Sequence, residues 1–84
     1  MNLSEQEETK KIQHVFDCKE LMTELCNKVS LFVDINEYTY GRDFHKAVDI
    51  NIRDKERYLV YRATDVVEVI GFIKGIQYAK TVQN

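Results

Sequence analysis

The chain has no proline, no tryptophan and only three glycines in 84 residues. With no proline and no glycine- or serine-rich tract, nothing in it reads as a linker. Residues 1–84 are therefore expected to form one small domain. The only two cysteines, Cys18 and Cys26, stand eight apart in a stretch of helical spacing. Their Cα atoms would lie about 12 Å apart, too far for a bridge. Histidine is just as scarce. His14 and Cys18 could share a helix face, but no Cys-x-x-Cys or His-Glu-x-x-His spacing accompanies them. No metal and no cofactor is expected. No apolar run is long enough to span a membrane. Met1-Asn-Leu-Ser leads at once into acidic residues, which is unlike a signal peptide, so a reduced, cytoplasmic protein is expected.

Catalytic signatures are missing as well. There is no Gly-x-Ser-x-Gly, no glycine-rich phosphate loop and no paired-carboxylate pattern. Asp43 and His45 beside Arg42 come nearest to a general base, with no nucleophile motif in support. A non-enzyme is expected. Twelve basic residues against fourteen acidic ones give a net charge of −2. That lacks the basic stripe of a nucleic-acid binder. A domain of this length buries only about 60–65% of its unfolded surface. With disulfide and metal disfavoured, self-association is the remaining support.

What the chain does have is a C-terminal stretch, residues 65–80, that reads as a helix. Asp65 and Glu68 form a capping box, and Lys74 and Lys80 fall in the half where the helix dipole favours cations. Val66, Val69, Ile70, Ile73 and Ile76 make one apolar stripe, widened by Phe72 and Ala79. Val67, Gly71, Gly75 and Tyr78 gather on the other side. Each glycine inside a helix costs about 0.8–1 kcal/mol against alanine. Two of them four apart fit either bulky neighbours within the chain or close approach of a second helix.

Towards the N-terminus, Ser4-Glu-Gln-Glu7 is a second capping box and opens a helix over about 4–32. Val15, Cys18, Met22, Leu25, Val29 and Phe32 follow three-four spacing, and Asp17-x-x-Glu20 marks a break or kink near Phe16. Strands are expected at about 36–40, 46–53 and 58–63. Gly41-Arg42 would turn the first hairpin. A turn on Lys55-Glu56 would set Ile52 against Leu59, Ile50 against Tyr61, Val48 against Ala63 and Asp49 against Arg62. The fold class is α+β: helix, a two- or three-stranded antiparallel meander, helix, with the helices on one face of the sheet.

Tyrosine and arginine, the residues that dominate interface hot spots, concentrate on this middle region. Tyr38, Tyr40, Arg42, Arg57, Tyr58 and Arg62 are the candidate surface for a partner or ligand. The expected function is a small interaction or regulatory protein, binding or blocking a partner protein as a homo-oligomer held by Val67, Gly71, Gly75 and Tyr78. Binding of a small anion such as a nucleotide at subunit clefts, with an arginine on the phosphate and a tyrosine stacked, is the alternative. A nucleic-acid-binding hairpin is a further one that the charge disfavours. Brevity and the lack of motifs are also traits of accessory proteins of phages and mobile elements.

Overall fold

A computed structural model describes residues 3–83, and the side chains of residues 6–82. The order is α1 (Leu3–Asp17), α2 (Lys19–Lys28), β1 (Phe32–Tyr40), β2 (His45–Arg53), β3 (Leu59–Ala63) and α3 (Val66–Gln83). The strands form one antiparallel sheet in the order β1-β2-β3. This is the expected α+β meander with three strands. The capping box at Ser4 lies outside the described side chains.

The single long helix is two. Asp17 does not cap the second: the N-cap position is Cys18, without a side-chain cap bond, and the Asp17 carboxylate accepts from Gln13 Nε2 at 2.9 Å. Cys18 sits at the joint with ψ near 6°, and helical hydrogen bonds run through it, from Cys18 N to His14 O and from Met22 N to Cys18 O. The joint is a kink in a nearly continuous path. The helix also ends earlier than expected. Ser30 takes a positive φ of 61°. Ser30 N donates to Asn27 O and Leu31 N to Cys26 O, the Schellman pattern that stops a helix. Phe32 therefore opens β1, four residues before the expected start.

The hairpins depart from expectation too. Tyr40 pairs with His45, so Gly41–Phe44 is a four-residue loop rather than a two-residue turn. Gly41 does supply the positive φ, at 76°. In the second hairpin Asp54 N donates to Tyr58 O, and Asp54 O accepts from Arg57 N. The loop is thus three residues, with Arg57 in the left-handed region at φ 72° where glycine is usual. Asp54 Oδ1 secures it by accepting from Glu56 N and Tyr58 N. Beyond Leu59, which pairs with Arg53, a bulge at Val60 shifts the ladder, so Tyr61 pairs with Ile52, Arg62 with Asn51 and Ala63 with Ile50. The expected Asp49–Arg62 pairing is replaced by Asn51–Arg62. Loop and bulge each add one residue, and a slip of two returns Tyr61, Arg62 and Ala63 to their expected faces. Leu59, ahead of the bulge, changes sides and is exposed.

Val48, Ile50 and Ile52 carry the core on one face, packed with Ile12 and Val15 of α1, Met22 and Cys26 of α2, and Val69 and Ile73 of α3. Helix α1 contacts β2, α2 contacts β1 and α3, and α3 contacts β3. The Asp65 half of the α3 capping box forms, with Asp65 Oδ1 accepting from Glu68 N. Glu68 reaches back one residue further than expected, its Oε1 accepting from Thr64 Oγ1 at 2.8 Å and from Thr64 N. The molecule is elongated, 52 × 23 × 18 Å, with a radius of gyration of 14.7 Å against about 12 Å for a compact chain of this length. Everything described from Tyr78 onward is exposed, Ala79 included, so the end of α3 runs past the core. The first hairpin does the same from Asn36 to Phe44.

Candidate functional site

Closing the core leaves one face of α3 bare. Val67, Gly71, Gly75 and Tyr78 follow one another at four, four and three residues, and Val82 continues the row after four more. Spacing of this kind keeps them on one side of a helix. Val67 is 77% exposed, Tyr78 72% and Val82 63%. A Cβ placed on Gly71 or Gly75 would meet nothing within 4 Å. Packing among the described residues therefore does not call for either glycine, which counts against the first of the two explanations for them. The bare row extends for about 22 Å along the axis.

The sheet face away from the helices is polar at its centre and aromatic at its margins. Asp34, Asn51 and Arg62 lie in one row across the three strands. Asn51, only 7% exposed, joins them: its Nδ2 donates to Asp34 Oδ1 at 3.0 Å and its Oδ1 accepts from Arg62 Nε at 3.2 Å. Arg53 Nε donates to Asp34 Oδ2 at 2.9 Å, and Arg53 Nη1 to the Arg57 carbonyl. Partial burial would raise the Asp34 pKa, but the hydrogen bonds from Asn51 and Arg53 and the Arg53 charge outweigh it and hold the carboxyl below its ordinary value.

The candidate tyrosines and arginines do not form one patch. Consecutive hairpins of a meander turn at opposite ends of the sheet, and β2 spans about 26 Å between them. Tyr38, Tyr40 and Arg42 lie at one end, Arg57 and Tyr58 at the other, and Arg62 between, on β3. At the first end the Tyr38 and Tyr40 rings are 6.4 Å apart, and Tyr40 and His45 5.6 Å. Phe44, another aromatic of this middle region, is 74% exposed there and held at φ 54°. A bulky aromatic in the left-handed region is strained, and only its neighbouring positive-φ Gly41 marked the loop in the sequence.

Beside this end, α1 and the hairpin enclose a cleft of about 230 Å³ lined by Glu8, Lys11, Tyr38, Tyr40, Lys46 and Thr64, among others. Glu8 Oε1 reaches His45 Nδ1 at 3.3 Å across its rim. Arg42, Arg57 and Arg62 do not line it. His14 lies 3.9 Å from the Cys18 sulfur, and among the described residues no group of three ligating side chains gathers. Cys26 is a free thiol inside the core, and burial pushes its pKa up, away from the reactive thiolate. Among the described residues no helix is long and apolar enough to cross a membrane. No family model, curated protein or solved structure matches the chain.

Proposed function

We propose that the chain is a small non-enzymatic interaction protein that acts as a homo-oligomer assembled through the outer face of α3. One observation carries the reading: an apolar helix face, Val67 to Val82, lies open to solvent with two glycines on it that no packing among the described residues requires. A second α3 crossing at Gly71 and Gly75 would bring the two backbones close and cover Val67 and Tyr78 of each copy. Small residues at a helix crossing act in this way. Without that contact the helix leaves Val67, Tyr78 and Val82 exposed and keeps two residues that weaken it.

The partner protein would be gripped by the aromatic end of the first hairpin, through Tyr38, Tyr40 and Arg42 with Phe44 at its tip. Aromatic and arginine side chains are the residues that most often anchor such contacts. The setting we propose is the cytoplasm, where both cysteines stay reduced. Leucine at Gly71 or Gly75 would hold two helices apart. The test is the solution mass of Gly71→Leu and Gly75→Leu beside the wild type. Smaller assemblies with unchanged circular dichroism support the reading, and an unchanged mass removes it.

One observation favours a second reading. The cleft beside α1 sets two lysines, Lys11 and Lys46, against two tyrosines, Tyr38 and Tyr40, groups that suit a small anion with a flat ring. Nucleotides that leave the melting temperature unmoved would dismiss it.

A further inference from the structure

The first strand offers an open sheet edge, separate from α3. β1 is nine residues long and lies at an edge of the sheet, and among the described residues nothing pairs with its other side. An edge of that length is a template for another strand unless something blunts it. Proline, lysine, a bulge or shortness are the usual means. β1 has no proline and no lysine, and its ladder with β2 runs without a register shift. β3, the opposite edge, has only five residues and the bulge. One charge of β1, Glu37, falls on the core side of the strand. It lies beyond the core, exposed, where it shares a shallow groove with Lys46. The other, Asp34, is already turned to Asn51 and Arg53 of its own sheet.

The strand is also complementary to itself. We propose that two copies of the chain pair antiparallel along β1, about a two-fold axis at Asn36, and merge their sheets into one of six strands. This is the register that pairs all nine residues. It sets Phe32 against Tyr40 of the second copy, both more than half exposed in the single chain. Val33 meets Thr39, Asp34 meets Tyr38, Ile35 meets Glu37, and Asn36 meets itself. Aromatic and β-branched pairs of this kind stabilise antiparallel strands, and no like charges stand opposite one another. A register centred one residue later would place Glu37 against Glu37. Pairing about Asn36 would also bring the outer faces of two sheets, each with its Tyr38 and Tyr40, onto one continuous surface.

Asn36 is exposed, so longer side chains fit there. Its partner within the sheet is Asp49, which favours Lys and opposes Glu in the single chain, so the stability of each variant is measured beside its dimerisation. Asn36→Lys and Asn36→Glu each place like charges face to face at the axis. The experiment measures dimerisation of each alone and of their equal mixture, by native mass spectrometry. To set α3 aside, all chains also carry Gly75→Leu, and circular dichroism checks that they fold. Each charged variant is expected to dimerise about fivefold or more weakly than its Asn36 parent, with the mixture recovering as a heterodimer. Three results overturn the proposal: an Asn36 parent that stays monomeric at high concentration, charged variants that dimerise as it does, or a mixture that fails to recover. Failure of the α3 contact would show separately, as an unchanged mass when Gly75→Leu is compared with wild type.

Discussion

Tyr61 of β3 stacks on Phe72 of α3, with ring centroids 4.4 Å apart and planes 11° from parallel. The pair pins the rotation of α3 about its axis. With Phe72 turned to the sheet beside Val69 and Ile73, the helical period carries Gly71, Gly75 and Tyr78 to the opposite side. The bare face of α3 is thus a consequence of how the helix is seated.

Removing the stack should therefore cost stability first. Phe72 is half-buried, so Phe72→Ala is expected to destabilise by about 2–3 kcal/mol, less than a fully buried phenylalanine would. Phe72→Leu should cost less. Urea unfolding of the three proteins at one concentration checks the order.

The glycines should separate two effects that are usually entangled. Gly71→Ala or Gly75→Ala adds a Cβ into open space. Each should raise the stability of the isolated chain by about 0.8–1 kcal/mol through helix propensity. Leucine at the same positions should weaken assembly instead. Unfolding at the lowest measurable concentration, compared with mass at high concentration, distinguishes the two. Alanine variants that destabilise the dilute chain would mean that the glycines serve its own packing.

Ser30 and Arg57 occupy left-handed backbone without being glycine. Ser30→Gly and Arg57→Gly should each stabilise by roughly 1 kcal/mol by relieving the Cβ clash, read as a rise in melting temperature. The same pair explains much of what the sequence concealed. A Schellman stop built on serine gives no glycine to mark the end of α2, and Val29 and Phe32 prolong the helical spacing past it. A three-residue loop that uses arginine hides its length, and the bulge at Val60 carries no signature residue. Alternation still assigned the faces of Val48, Ile50 and Ile52, because the pleat ties face to parity alone. The capping box of α3 was legible because its residues are local. The division of the tyrosines and arginines between two ends follows from hairpin direction, which the expected meander already contained. Val82 extends the α3 row by the same four-residue step that relates Val67 to Gly71.

Acid should loosen the outer sheet face. The Asp34 pKa is lower in the folded chain than its ordinary value. Its contribution is fully present above the unfolded carboxylate pKa and is lost as pH falls through the folded one. Stability should decline from about pH 5 downward, and Asp34→Asn should flatten part of that decline. Denaturant melts of both proteins across this range give the comparison. Identical slopes would mean that the hydrogen bonds of Asp34 to Asn51 and Arg53 do not favour its charged form.

The most direct test of the account is the mass of the wild-type chain in solution, by light scattering on a size-exclusion column over a concentration series. The chain weighs 9.9 kDa. A dimer or larger assembly that Gly71→Leu reduces is the predicted result. A monomer at every concentration would contradict it, and the open face of α3 would then have no role in self-association.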